Sequence, residues 1–222
     1  MKRYILIDRE TFLKRIFAVA TYLILYLIGF HILEGQTTDI TIIHTTLDDK
    51  IPFISAFIVP YMMWFAFVAW TVGYFLVTDC EGEDFRKLAL SLAIGCTIFL
   101  LTSALFPNGQ DFRPHLAGSD IFQQMTLWLY SIDTPTNIFP SIHVFNSLIC
   151  CVSILQYDRL KKRPVVCWGT VCLTVLIVLA TMFLKQHSVV DVVGAMIMFL
   201  LCYRFIYVRV PDGIPARVGL NR

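Results

Sequence analysis

Apolar residues in this chain run in long blocks separated by short polar stretches. Six blocks, at residues 16–33, 53–77, 88–106, 140–156, 164–184 and 189–208, approach the length of about 20 residues that spans a bilayer as a helix. The fourth is the shortest and carries His143, Asn146 and Ser147. Polar groups at membrane depth face a bundle interior or a water-filled cavity. The pattern predicts an all-α integral membrane bundle of six transmembrane helices, folded as one domain over residues 1–222. The loop at 107–137 exceeds the length of about 12–15 residues beyond which loops are functional or disordered. Within it Ile121, Phe122, Met125, Trp128, Leu129 and Ile132 recur at helical spacing behind Ser119, a candidate N-cap. Trp128 and Tyr130 suit a membrane interface. This segment is expected to be an interfacial helix between the third and fourth spans, either a packing element or one wall of a lipid entrance.

Composition agrees with the blocks. Hydrophobic residues make up 57% of the 222 residues, above the 45–50% or so of a soluble domain, and mean hydropathy is +0.70. The net charge of +2, with no basic stripe interleaved with aromatics, leaves no nucleic-acid footprint. Basic residues precede the first span, but the apolar stretch is too long for a signal peptide and no small-residue cleavage site follows it. It is expected to remain as the first helix.

Charge orients the bundle. Of the 18 Lys and Arg, all but Lys50, Arg113 and Lys185 fall on the side of the termini. The positive-inside rule then makes both termini cytoplasmic and turns the opposite side outward. The basic loop at 158–163 fits the same bias, and attraction of anionic lipid is its other reading. The seven cysteines lie outside the outer loops, make no zinc spacing, and read as small apolar packing residues. Asp48 and Asp49 read as a solvated pair, with a divalent-cation site as the alternative.

Two short motifs reach that outer side. Phe139-Pro140-Ser141-Ile142-His143 opens the fourth span, and Lys185-Gln186-His187-Ser188-Val189-Val190-Asp191 opens the sixth. His187 and Asp191 are four apart, so on one helix face the carboxylate would hold the imidazole and free its other nitrogen for attack. Proline suits the first position of a helix. The amides of Ser141 and Ile142 are then expected to point outward as an anion site, with His143 beside it. Arg113 matches phosphate oxygens through paired hydrogen bonds. Arg113 and Lys185 are two of only three cations on their side, and positive charge there runs against the topology bias.

Arginine, histidine 30 residues later and His-x-x-x-Asp 44 residues after that together resemble the type 2 phosphatidic acid phosphatase superfamily. Its pattern is Lys-x6-Arg-Pro, then Pro-Ser-Gly-His, then Ser-Arg-x5-His-x3-Asp. The resemblance covers about residues 106–195. Within the superfamily, the stretches 139–143 and 180–187 look most like the inositol phosphorylceramide synthase branch. The chain departs from the pattern at Phe106, where the family lysine would fall, at Thr181, where its third-motif arginine would fall, and at Ile142, which replaces glycine.

The resemblance implies a lipid phosphatase or phosphotransferase working on a membrane lipid phosphate at the outer face of the plasma membrane. His187 would be the nucleophile that forms a phosphohistidine, Asp191 its orienting carboxylate and His143 the general acid. Arg113, Lys185 and the amides of Ser141 and Ile142 would bind the phosphate oxygens without a metal or other cofactor. Hydrolysis of a lipid phosphate or diphosphate is the first expectation and head-group transfer to an alcohol the second. A non-catalytic lipid-binding or transport protein is the reading from another class. If the helix of the fifth span continues past Thr181, Lys185 lies one turn further and offers its ammonium in place of the missing arginine.

Overall fold

Among the described residues, five helices are long and apolar enough to cross a membrane: Arg9–Glu34, Ser55–Thr78, Glu83–Leu105, Pro164–Phe183 and Val189–Tyr207. The structure, a computed structural model, describes residues 7–34 and 39–208. Lys2, Arg3, Arg209, Arg217 and Arg222, which weigh in the charge argument, lie outside the described residues. So do the chain ends that were expected to be cytoplasmic.

In chain order the elements are α1 (Arg9–Glu34), a short strand β1 (Thr41–Ile42), α2 (Thr46–Lys50), a 3-10 turn (Ser55–Phe57) that runs into α3 (Ile58–Thr78), α4 (Glu83–Leu105), β2 (Asn108–Gly109), α5 (Ile121–Ile132), α6 (Ile142–Gln156), α7 (Pro164–Phe183) and α8 (Val189–Cys202), which closes in a π-helical turn (Tyr203–Tyr207). Two helices begin earlier than their apolar blocks. Their polar first turns carry ion pairs four residues apart, Glu10–Lys14 in α1 and Glu83–Lys87 in α4, and such pairs support a helix outside the apolar region.

The fourth predicted span, α6, has 15 residues, or about 22 Å of helix, short of the roughly 30 Å hydrocarbon core. It is nevertheless the centre of the bundle and packs against α3, α4, α7 and α8. Val144, Phe145, Ile149, Cys150 and Ile154 are fully buried, with Phe75, Leu88 and Ile177 beside them. Two of its polar side chains are satisfied within the helix: Ser147 and Ser153 return their hydroxyls to the carbonyls of His143 and Ile149. Gly95 lets α4 approach, since a Cβ there would overlap the Phe145 ring. Outward-facing positions stay apolar, among them Phe17, Leu25, Trp168, Ile197 and Leu200, as a lipid-facing shell requires.

The helix ends sort into two groups. At one end Arg15 donates to the Asp79 carbonyl, and Tyr157 donates to Thr78. At the other end lie Glu34, the segments 40–57 and 106–141, and the turn at 184–188. There β1 pairs with β2 in parallel, Thr41 opposite Asn108 and Ile42 opposite Gly109. Asn108 accepts from the amides of Ile138 and Phe139 through its Oδ1, and its carbonyl accepts from Asn137. This knot fixes the chain just before α6. The helix in the long loop, α5, is capped by Asp120 rather than Ser119, its carboxylate accepting from Gln123 N. It buries Thr126 and Leu129 and exposes Ile121, Trp128 and Ile132.

Candidate active site

His143 and His187 meet at the knotted end of the bundle. Nε2 of His187 stands 3.4 Å from Nδ1 of His143. The two residues are 44 apart in sequence and come together because α6 and α8 start side by side: the Ser141 amide donates to the Asp191 carbonyl. The crossing is close at Gly194, where a Cβ would run into Phe139. The His143 ring is packed between Trp64 and Tyr61, at centroid distances of 4.3 and 4.7 Å.

Asp191 does approach His187, by a route the sequence spacing did not describe. The helix begins only at Val189, so His187 precedes it and the pair does not share a helix face. Ser188 is the N-cap and Asp191 its third helical residue, and the two form a capping box. The Asp191 Oδ2 that accepts from the Ser188 amide at 2.7 Å also lies 3.5 Å from His187 Nδ1. That is ion-pair distance and too long for a good hydrogen bond. His187 Nδ1 and Asp191 Oδ1 are both buried without a hydrogen-bond partner among the described residues. A neutral imidazole in this setting holds its proton on Nδ1, toward the carboxylate, and turns the Nε2 lone pair toward His143.

Arg113 joins the same end. Its Nη1 donates to the Asp133 carbonyl at 2.8 Å; Nη2 donates to the Thr134 carbonyl at 3.2 Å and to Gln186 Oε1 at 2.5 Å. The guanidinium stacks on Tyr130, 4.4 Å from its centroid. Burial pulls the Arg113 pKa down from its ordinary value, and the nearby Asp133 opposes the shift. Burial likewise raises Asp133, against the pull of Arg113, and pushes Tyr130 up to about 12. An arginine can only donate, so its contact fixes the Gln186 amide with Oε1 toward it and Nε2 away. Arg113 Nε and Gln186 Nε2 are buried donors without a protein acceptor among the described residues.

Two expectations about phosphate donors need correction. The Ser141 amide is not free, since Asp191 O accepts it at 3.3 Å, and Ser141 is the N-cap of α6 rather than its second residue. Pro140 therefore lies before the helix, and the unpaired first-turn amides are those of Ile142 and His143. Lys185 does not continue α7: the helix ends at Phe183, and Lys185 has a left-handed φ of 52°. Its Nζ donates to the carbonyls of Asp48 and Ile51, both at 2.5 Å. Burial lowers the Lys185 pKa, with Asp48 and Asp49 opposing.

Sequence reasoning missed four residues here. Tyr61 stacks on His143 and donates to Asp133 Oδ2 at 3.2 Å. Gln110 donates to the Lys185 carbonyl at 2.8 Å. Gln186 holds Arg113. Asp48, read as solvated, is 2% exposed. Only Gln186 had a signal, its place beside His187.

A family model of the PAP2 superfamily matches residues 85–214, more than half of the chain. The chain belongs to the PAP2 superfamily. No curated protein and no solved structure matches it. PAP2 proteins are typically phosphatases or phosphotransferases, and this member has a multi-pass set of apolar helices on which such a site can meet a phosphate-bearing lipid.

One ionic link joins the loops that carry Asp48 and Arg113. His44 places Nε2 2.8 Å from Asp49 Oδ1 and Nδ1 2.8 Å from Asp111 Oδ1. The hydrogen bond to Asp49 raises the His44 pKa, aided by both carboxylate charges and opposed by slight burial. A folded-state pKa above the unfolded value of about 6.5 stabilises the fold fully below that value and loses the effect as pH rises through the folded one. The thermal midpoint of wild type should therefore exceed that of His44→Gln at pH 5.5 and converge with it at pH 9. A gap that is constant or widens with pH would overturn the link.

Proposed function

We propose that this PAP2 protein is a lipid phosphatase that works through a phosphohistidine at the outer face of the plasma membrane. One observation carries the reading: the two motif histidines face each other through Nε2 and Nδ1, with Asp191 behind the nucleophile. The His187 Nε2 lone pair forms a bond to phosphorus as the bond to the lipid oxygen breaks. His143, doubly protonated beside the bound anion, gives a proton to that leaving oxygen. Neutral His143 then takes a proton from water, whose oxygen attacks phosphorus and breaks the N–P bond. Phosphate leaves and the lone pair returns to His187. Asp191 holds the ring and offsets its positive charge while the phosphohistidine exists.

Arg113 and Gln186 are the phosphate donors that the free Nε and Nε2 atoms favour, with the amides of Ile142 and His143 at the helix start. Lys185 contributes charge from behind them. In-line displacement puts phosphorus and the leaving oxygen between the two histidines, which takes roughly 6–7 Å with a closing hydrogen bond of about 2.8 Å. The contact of 3.4 Å is thus a closed resting state, and substrate parts the rings. The six-span plan, cytoplasmic termini and an interfacial α5 belong to the same reading. They are supported by the charge bias and by the exposed Ile121, Trp128 and Ile132.

A short-chain lipid phosphate added to sealed right-side-out membrane vesicles should release phosphate without permeabilisation. Release only after permeabilisation would overturn the sidedness. No release by purified protein from any lipid phosphate or diphosphate would overturn hydrolysis. Release of the alcohol half only when an alcohol acceptor is supplied would convert the reading to head-group transfer.

A further inference from the structure

We infer that Asp48 is a positioning residue for the nucleophile, acting through the loop that carries His187. It lies outside the family-matched region of 85–214, on a five-residue helix between α1 and α3. This inference rests on the histidine reading above.

The turn around Asp48 grips the His187 loop on both sides. After the histidine, Asp48 Oδ2 accepts from Ser188 Oγ at 2.7 Å and Oδ1 accepts from the Val189 amide at 2.8 Å. Before it, Lys185 Nζ returns to the carbonyls of Asp48 and Ile51. The Asp48 carboxylate is itself held, since Thr45 N and Oγ1 both donate to Oδ2 at 2.8 Å. Burial acts to raise the Asp48 pKa, but the bonds from Val189, Ser188 and Thr45 outweigh it and hold the carboxylate below its ordinary range. Asp48 therefore stays ionised, and its charge faces the first amides of α8, where a helix favours an anion. Lys185 supplies the compensating cation, buried beside it.

The arrangement answers a need of the chemistry. His187 lies on a loop before α8, and loops hold a group less closely than helices do. Its Nδ1 makes no hydrogen bond among the described residues, so Asp191 alone does not lock the ring. The clasp holds the backbone at Val189 and the side chains of Lys185 and Ser188, on both sides of His187, and so restrains the loop that carries it. A nucleophile displaced by 1 Å can lose about 10²-fold in rate. Asp49, the neighbour in sequence, points away to His44.

The test compares Asp48→Asn with Asp49→Asn in the full-length protein in lipid. The asparagine is isosteric, but its one carbonyl oxygen cannot accept from both Val189 N and the Thr45–Ser188 group. Two measurements are made, amide hydrogen exchange over residues 184–191 and the separate kcat and KM for a lipid phosphate. Asp48→Asn should speed exchange and lower kcat by about 10–100-fold, with KM within about threefold of wild type. Asp49→Asn should change neither quantity. Thr45→Val, a milder change, should move both in the same direction by less, which guards against a misfolded Asp48→Asn.

Unchanged exchange in both Asp48→Asn and Thr45→Val would overturn the clasp. Faster exchange with normal kcat would make it a stability feature only and overturn the positioning role. If the wild type itself turned over no lipid phosphate, the functional reading would fall with the positioning role, while exchange would still decide the clasp.

Discussion

His187→Ala is expected to abolish turnover in a protein that still folds. The substitution removes the imidazole whose Nε2 faces His143, with the Asp191 carboxylate on its Nδ1 side, the group proposed above as the nucleophile. The capping box that starts α8 survives, because Ser188 N and Asp191 Oδ2 make it without the imidazole. Fold and chemistry are thereby separable: size-exclusion behaviour and the thermal midpoint should stay near wild type while the rate falls. A general acid contributes about 10²–10⁴-fold, and loss of a covalent nucleophile should cost at least as much. Rapid quench with a radiolabelled substrate should trap an acid-labile, base-stable phosphoenzyme in wild type and none in His187→Ala. Activity above roughly a hundredth of wild type in the alanine variant would sink the nucleophile assignment.

The bundle was legible because bilayer length writes itself into the sequence. Each of the six predicted spans corresponds to a helix, with ends shifted by a few residues except in α1 and α4, which start earlier. There Glu10–Lys14 and Glu83–Lys87 extend the helix beyond the apolar block, and hydropathy does not report such pairs. The weakest predicted span, α6, was set apart by its polar residues. They mark burial within protein: Ser147 and Ser153 are satisfied inside their own helix while all sides of α6 meet other helices.

The site was legible as residue types and less so as geometry. His143, His187, Asp191 and Arg113 do converge, but the spacing of His187 and Asp191 had suggested a shared helix face. The actual link is a cap, because Ser188 competes for the helix start and wins it. At α6 likewise Ser141 takes the N-cap, which moves the helix start, and the expected anion-facing amides with it, one residue on to Ile142. Asp48 was illegible for a different reason. A carboxylate in a polar loop looks the same whether water or Ser188 and Val189 fill its lone pairs, and the partners lie about 140 residues away. Lys185 was misread because a helix was carried through a residue that adopts a left-handed φ.

Arg113→Lys is expected to weaken phosphate binding strongly, although charge is conserved. Arginine presents five donors in a plane and lysine three from a point. Three of the five hold the Asp133 and Thr134 carbonyls and Gln186 Oε1, and Tyr130 keeps the plane in place. The guanidinium is thus immobilised before substrate arrives, which leaves Nε as a buried donor for an anion. Lysine can neither stack in that manner nor reach all three oxygens, so Gln186 would lose the contact that turns its Nε2 toward the site. Loss of one hydrogen bond to a charged group is worth about 1.5–3 kcal/mol, or roughly 10–150-fold. Arg113→Lys should raise the inhibition constant for inorganic phosphate by a factor in that range and lower kcat/KM by at least as much. Gln186→Leu should produce a smaller rise in the same constant. The alternative is that Arg113 only ties the loop at 133–134 to the His187 loop. In that case the lysine variant would lower the thermal midpoint and leave phosphate inhibition unchanged, and the phosphate would be held by the amides at the start of α6 without it.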